Sequence, residues 1–479
     1  MYRKFGQFID GKWRSSSDNE TYEVINPATE EIIGKASKAS SDDVEKALKS
    51  AEKGFAIWKN VSPWERATII RKIADLIRKK NNELAKWMTL ETGKPLSEGL
   101  AEASGSADIF EWNAEETKRI YGQTVQSRFK DTRIIINYEP VGVVAALSPW
   151  NFPLILAARK ISTALAAGCS IICKPDVITP GTVMELTDII NQCGVPPGVV
   201  NLLSGDPATI TSQLINSNII KKISLTGSTR VGKLILKQAA EKIQRVTMEL
   251  SGHAPFIVHK DADIEKATDM AIAAKYRNNG QVCISPSRFY IHESKKEQFT
   301  KSFVEKTLKL KIGNGMDKEV HLGPITTKKR LEEIEKLVEA TKKEGGKILC
   351  GGKRPSGFNK GYFYEPTVFD NIKDNFQIMI EEPFGPLSPI LTFSSFDEVI
   401  KRANNQAAGL AGYICTASLK LANETSEALE TGMVAVNTPF ISNAETPFGG
   451  IKQSGYGREG GSFGIKDYLN LKYTHLGIL

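Results

Sequence analysis

Several features are scarce or missing from this 479-residue chain, and each narrows what it can be. Cysteine is rare: Cys169, Cys173, Cys193, Cys283, Cys350 and Cys415 are scattered, and a chain of this length needs no disulfides to hold its core, so free thiols are expected. Cys169 and Cys173 are spaced as CxxxC, but no second Cys or His pair accompanies them, so no metal site is expected. The start, MYRKFGQFIDGKW, carries charges where a secretory signal would carry an apolar stretch. No later segment is apolar for the roughly eighteen residues of a membrane helix. The expectation is a cytoplasmic protein with no membrane partner. Basic residues outnumber acidic ones, 63 to 55, but no run of five like charges occurs. The excess is too diffuse to argue for a nucleic-acid partner.

What is present describes a soluble globular chain, 41% hydrophobic and 25% charged, long enough for two or three domains. Asp10-Gly11 between GQFI and KWRS is a hairpin signal, because such a turn needs residues that tolerate positive φ. From Ser40, SSDDVEKALKSAEKGFAIW offers Ser and Asp caps followed by apolar residues at helical spacing. Pro63 opens a further helical stretch that Gly93 and Pro95 close. Short β-branched runs then alternate with helices: VGVVAALS at 141–148, a helix over about 154–167, CSIIC, a helix after Pro180, VVNLL and KKISL. That alternation predicts βαβ units and a parallel sheet. A second β/α series runs from PFIV at 255–258 to GPLSPILTF, with Cys283 between the two. The tail, DYLNLKYTHLGIL, has too few polar residues to end freely in water and is expected to pair with another subunit.

Four segments offer chemistry, each with a plainer alternative. LTGSTRVGK follows a predicted strand and opens a predicted helix, so its amides would face a phosphate; equally, Ser228 or Thr229 simply caps a helix. The segment is neither Gly-x-Gly-x-x-Gly nor a P-loop, so it lacks the standard Rossmann fingerprint. VTMELSGHAP puts Glu249 at a strand end, where a carboxylate can be presented or merely exposed. SPWNFP fixes Asn151 between aromatics and a proline, ready to donate to an oxyanion or to make an Asx-turn. Cys283, after a glycine turn, is a nucleophile or a small buried hydrophobe.

Taken together, SPWNFP, LTGSTRVGK, MELSGHAP, GQVC, EEPFGP and PFGGIKQSGYGRE occur in the order and rough spacing of the aldehyde dehydrogenase superfamily, which the chain resembles along almost its whole length. The resemblance implies an α/β fold with a Rossmann-like cofactor domain (1–121 and 142–252), an α/β catalytic domain (253–453) and a small β oligomerisation element (122–141 and 454–479). It implies a homodimer or homotetramer. By resemblance Cys283 is the nucleophile, Glu249 the general base and Asn151 the oxyanion donor. Lys174, Ser228, Glu382 and Phe384 match cofactor positions, Trp150, Gly227 and Gly232 lie in the same motifs, and Val177 follows Lys174 in KPDVITP. The chemistry suits these residue types: a thiolate adds to an aldehyde, amides hold the alkoxide, hydride leaves, and the carboxylate activates water against the thioester.

Within the superfamily PWNFPLILAARK, KYRNNGQVC and FISNAETPFGGIKQSGYGRE resemble succinate-semialdehyde dehydrogenases most. In that group two arginines and a serine hold the substrate carboxylate, and the matching positions are Arg159, Arg277 and Ser442. Arg277 could instead be a cation at a helix C-terminus. Arg159 lies in an apolar run where a charge needs a partner or a cavity. The grip would also suit glutarate or malonate semialdehyde or sulfolactaldehyde. Ser285 stands where some members carry a second cysteine, so no local disulfide switch is expected. Val177 replaces the glutamate of NAD-preferring relatives, which favours NADP over NAD, with Asp176 as a possible source of repulsion. Two rival readings remain, a nitrilase-like amidase using Glu249, Lys174 and Cys283, and a non-catalytic scaffold.

Overall fold

The computed structural model describes residues 6–477; residues 1–5 and 478–479, parts of the opening segment and the tail, lie outside it. Asp10 and Gly11 take positive φ, 56° and 73°, and turn β1 (Gln7–Ile9) back as β2 (Lys12–Arg14). A second hairpin joins β3 (Thr21–Ile25) and β4 (Ile32–Ser37). Ser40 closes a reciprocal capping box with Asp43 and starts α1 (Ser41–Trp58). Pro63 is the first residue of α2 (Pro63–Lys79), and α3 (Asn81–Thr92) stops at left-handed Gly93 before α4 (Leu96–Thr117). Two strands follow, β5 (Gln123–Val125) and β6 (Thr132–Pro140).

The predicted alternation then forms as β7 (Val143–Leu147), α5 (Pro153–Ala167), β8 (Ser170–Lys174), α6 (Pro180–Gln192), β9 (Val200–Leu202), α7 (Pro207–Asn216), β10 (Ile220–Thr226), α8 (Thr229–Ala240) and β11 (Arg245–Glu249). These strands pair in the order β9-β8-β7-β10-β11, all parallel, with the first hairpin added antiparallel beside β9. Every residue of β7 is buried because helices cover both faces: Val143, Ala145 and Leu147 enter one apolar layer, Val144 and Ala146 the other. Strand order reverses between β7 and β10, and a crevice at the carboxyl ends of the strands is the expected ligand site.

A second sheet repeats the plan with β12 (Ala254–Val258), α9 (Ile264–Tyr276), β13 (Pro286–His292), β14 (Lys347–Cys350), β15 (Thr367–Asp370) and β16 (Leu387–Phe393). After the two-residue β17 (Ala408–Gly409) come β18 (Ala411–Cys415) and β19 (Met433–Val436). Its order is β14-β15-β16-β13-β12-β18-β19, with only β14 antiparallel. Three strands follow: β20 (Ile451–Lys452) pairs with β17, β21 (Gly455–Tyr456) joins the first sheet beside β11, and the longer β22 (Leu469–Gly477) runs antiparallel to β6.

The tail therefore has a partner within its own chain, in register from Leu469 opposite Pro140 to Gly477 opposite Thr132. Together with β5 it makes a separate three-stranded sheet. Beyond Leu469 the described side chains of β22 are exposed, since no core faces them. Among the described residues no helix is long and apolar enough to cross a membrane.

Candidate active site

The first sheet delivers polar residues to one edge. Past the end of β7 the chain runs through Trp150 and Asn151 before Pro153 opens α5. Asn151 is buried, and its Nδ2 donates to the Gln281 carbonyl at 3.0 Å. Its own carbonyl accepts from Lys94 Nζ and from Asn278 Nδ2, each at 2.9 Å. The residue is thus locked to the segment that carries Cys283. Glu249 ends β11 and is buried, and neither carboxylate oxygen has a hydrogen-bond partner among the described residues. Gly449, at φ 152°, leaves it room: a Cβ there would stand 2.7 Å from Glu249 Oε1. Burial, followed by the charge of Glu459, pushes the Glu249 carboxyl well above the usual range, against the pull of Lys160, Arg458 and Arg159. A buried carboxyl with no hydrogen-bond partner and a raised pKa has the character a general base requires.

Cys283 arrives differently. After α9 the chain takes three consecutive left-handed residues, Asn278 (φ 47°), Asn279 (φ 57°) and Gly280 (φ 71°), a path asparagine and glycine tolerate best. Side-chain amides hold the turn: Asn279 Nδ2 donates to the Gly323 carbonyl at 2.8 Å, and Gln281 Nε2 to the Asn278 carbonyl at 3.1 Å. The Thr326 amide donates in turn to Gln281 Oε1 at 3.0 Å. Cys283 is half-buried with a free thiol. Its carbonyl oxygen comes within 2.2 Å of where a Cβ on Gly252 would sit, so the Ser-Gly step after Glu249 must be glycine for the two segments to meet. Burial, then Glu382 and Glu249, push the thiol up to about 12, while Arg277 works in the other direction.

The crevice beside β7 and β10 carries the residues matched to a cofactor. Ser228 caps α8, accepting from the Val231 amide at 3.4 Å, so that helix presents its N-terminus beside Gly227. Gly232 lies one turn in, where a Cβ would strike Leu250 Cδ2 at 2.5 Å. Lys174 ends β8 and is buried, with burial lowering its pKa and Asp176 the leading opposing charge. Asp176 turns its Oδ1 onto the Ile178 amide at 3.0 Å, which answers where that carboxylate points, and Val177 lies in the same turn. Phe384, at φ 41°, meets Trp150 edge-to-face with ring centroids 5.6 Å apart. Glu382 accepts from the Gly252 amide at 3.4 Å and is pushed by burial to about 8. A buried cation and a capped helix N-terminus at the strand-order reversal fit a dinucleotide.

Arg159, on α5, is buried, and among the described residues no carboxylate contacts it. One nitrogen, Nη2, donates to Ser442 Oγ at 2.9 Å and to the Asn443 carbonyl at 3.3 Å. Nη1 has no partner among the described residues, and the guanidinium faces the Phe448 ring at 5.2 Å. Arg277 is exposed, directly after α9, and stacks over the Phe152 ring at 4.8 Å. Both guanidinium groups act electrostatically on Cys283.

Two residues of this site were not singled out in sequence. Lys160 and Glu459 form a buried ion pair; Ser224 Oγ donates to the same carboxylate at 3.0 Å, and Lys160 also donates to Thr226 Oγ1 at 2.8 Å. The signal was a second cation beside Arg159 in an apolar helix. A Gly-x-Gly-x-x-Gly spacing does occur at 455–460, but its first two residues are β21, antiparallel to β11, and it lies outside any strand-turn-helix of the dinucleotide type. Among the described residues no group of three or more His, Cys, Asp or Glu side chains could hold a metal ion.

A family model described as the aldehyde dehydrogenase family matches residues 13–474. The chain is 39% identical over 470 residues to a succinate-semialdehyde dehydrogenase (NADP(+)) of Escherichia coli strain K12, covering 98% of this chain and 97% of that protein. To a glutarate-semialdehyde dehydrogenase of Pseudomonas putida it is 38% identical over 471 residues, covering 98% and 97%. The crystal structure of succinate-semialdehyde dehydrogenase from Burkholderia pseudomallei superposes with a TM-score of 0.98 at 39% identity, covering 100% of this chain and 98% of that one.

Proposed function

The chain belongs to the aldehyde dehydrogenase family, and on that footing we propose that it oxidises an anionic aldehyde, succinate semialdehyde foremost, to the corresponding acid with NADP or NAD. The Cys283 thiol loses its proton to solvent and Sγ forms a bond to the aldehyde carbon as the carbonyl π bond opens, giving a thiohemiacetal alkoxide whose oxygen is held by the Asn151 amide and the Cys283 backbone N–H. When bound, the dinucleotide supplies the oxidant that takes the hydride, leaving a thioester on Cys283. Glu249 then removes a proton from water as the water attacks the thioester carbon, and the acid leaves as the thiol is restored. The raised pKa of Glu249 makes its carboxylate a stronger base than an exposed glutamate, and Lys160 and Arg159 keep the charged form within reach. Lys174, Ser228, Gly227, Gly232, Trp150, Glu382 and Phe384 are the residues proposed to hold the cofactor. Val177 gives no charge to repel a 2′-phosphate, and Asp176 is engaged with its own turn, which favours NADP.

One observation carries the substrate reading. Arg159 is buried beside Ser442 with a nitrogen left unpartnered, and a buried guanidinium without an acid is expensive unless a ligand supplies one. Replacing Arg159 or Arg277 by Met is expected to raise KM for succinate semialdehyde by roughly 10- to 100-fold more than KM for a neutral aldehyde of the same length. Equal losses on both substrates would assign the arginines a structural role. Glutarate semialdehyde is the second reading, favoured by the relative of that name. The domain division follows the two parallel sheets, with β5, β6 and β22 as the oligomerisation element of a homodimer or homotetramer. Leu471 and Tyr473, 64% and 70% exposed on one face of β22, are proposed contacts. Light scattering of wild type against Leu471→Lys/Tyr473→Lys tests that assembly. A cytoplasmic location is the accompanying expectation.

A further inference from the structure

Phe152, the residue after Asn151, lies between two cations: Lys94 Nζ is 4.0 Å from its ring centroid and the Arg277 guanidinium 4.8 Å. Their charge balance differs. Lys94 is fully buried and is neutralised by Glu102, whose Oε2 it meets at 2.5 Å, while Glu102 Oε1 accepts from the Leu154 amide at 3.0 Å and the Ile155 amide at 3.2 Å. Arg277 makes no ion pair among the described residues. The acid beside it is Glu98, in the first turn of α4, whose Oε2 accepts from the backbone N–H of Asn278 at 2.8 Å. Asn278 is the residue joined to Arg277 and the first of the left-handed turn that leads to Cys283.

A glutamate in the first turn of a helix needs no explanation beyond the helix dipole. This one leaves its own helix to fix a backbone amide in the segment carrying the nucleophile. From the hydrogen bond, the unpaired guanidinium and the shared ring, we propose that Glu98 is a positioning residue for the anionic aldehyde, acting through Arg277: it anchors the Arg277–Asn278 step to α4 and competes with the substrate carboxylate for the guanidinium. The proposal rests on the reading of Arg277 as a carboxylate ligand.

The charged groups that face Glu98 are Lys94, Arg277 and Glu102. Burial pushes its carboxyl up to about 7; Lys94, Arg277 and the Asn278 amide pull it down, and Glu102 adds to the rise. Below that value the protonated carboxyl still accepts from Asn278 through its carbonyl oxygen, but it no longer draws on Arg277. Above it the carboxylate attracts the Arg277 guanidinium electrostatically, without a direct ion pair. Affinity for an acidic aldehyde relative to a neutral one is therefore highest on the acid side. The substrate carboxylate keeps its charge across pH 6 to 8.5, and titration of Cys283 or Glu249 affects both aldehydes alike.

The test compares KM for succinate semialdehyde with KM for a neutral aldehyde of similar length at pH 6 and 8.5, in wild type, Glu98→Gln and Arg277→Gln. Glutamine keeps the acceptor for Asn278 and removes the charge. In wild type the acid-to-neutral KM ratio is expected to rise about threefold or more between the two pH values. In Glu98→Gln it should be flat and low. A flat wild-type ratio, or an equal rise in Glu98→Gln, overturns the proposal, and the wild-type profile decides even if that variant does not fold. Arg277→Gln separates the two claims. A selective loss on the acid with no effect of Glu98 leaves the grip intact and rejects Glu98, whereas equal losses on both aldehydes reject the grip itself.

Discussion

In the first sheet, Asn151, Lys174, Ser228 and Glu249 stand at or just past the carboxyl ends of neighbouring parallel strands, whereas Cys283 reaches the same place on an irregular left-handed turn ahead of β13. The first arrangement is inexpensive, since any βα unit ends its strand at that edge. The second depends on local strain held by side-chain amides and on a glycine in another segment. The difference teaches where tolerance is to be found. The proposed cofactor side rests on secondary structure, and the proposed nucleophile, Cys283, rests on a fit between loops.

The largest expected effect separates the two chemical roles. Cys283→Ala should lower kcat by about 1,000-fold or more, since the covalent route is lost. Glu249→Gln should lower the steady state by roughly 100- to 10,000-fold yet keep a burst of reduced cofactor of about one equivalent per site. Loss of the burst as well would place Glu249 before the thioester rather than after it.

The loop fit is tested next. Gly252→Ala puts a Cβ against the Cys283 carbonyl and should cost about 1–3 kcal/mol of stability, with a fall in kcat that a shifted nucleophile explains. Calorimetry and steady-state rates check this together. An unchanged kcat would mean that the turn relaxes without moving the thiol.

A smaller effect concerns charge. Because burial and two acids hold the Cys283 thiol near 12, alkylation of the cofactor-free protein by iodoacetamide should accelerate about tenfold per pH unit from 7 to 9, following the thiolate fraction. Removing the Glu382 carboxylate, in Glu382→Gln, lowers the thiol pKa and should speed alkylation at pH 8. A plateau below pH 8 would show a cation at the thiol that the present contacts do not contain.

How much of this was legible in the sequence follows the same division. The strand-helix alternation, the Asp10-Gly11 hairpin, the Ser40 cap and the Ser228 turn were readable because each is a local signal. So was Glu249, at the end of a β-branched run. Cys283 became a candidate only through its company, since no spacing rule foretells a path through Asn278, Asn279 and Gly280. Glu98, Lys160 and Glu459 were invisible as partners: Glu459 lies 299 residues from Lys160, and Asn278 lies 180 residues from Glu98. The tail showed its strand character, but its partner β6 could be learned only from the fold.

The finest test on the cofactor side is Val177→Glu, which should lower kcat/KM with NADP about tenfold and leave NAD less affected. Equal effects would remove Val177 from cofactor choice.

The central claim is an anionic aldehyde held by Arg159 and Arg277 in front of Cys283. The most direct measurement is the initial rate of absorbance gain at the reduced-nicotinamide band, with succinate semialdehyde against a neutral aldehyde of similar length, each with NADP and NAD. A strong preference for the acid in kcat/KM, greatest with NADP, is the predicted result. Equal or better use of the neutral aldehyde would contradict the grip while leaving the Cys283 chemistry standing.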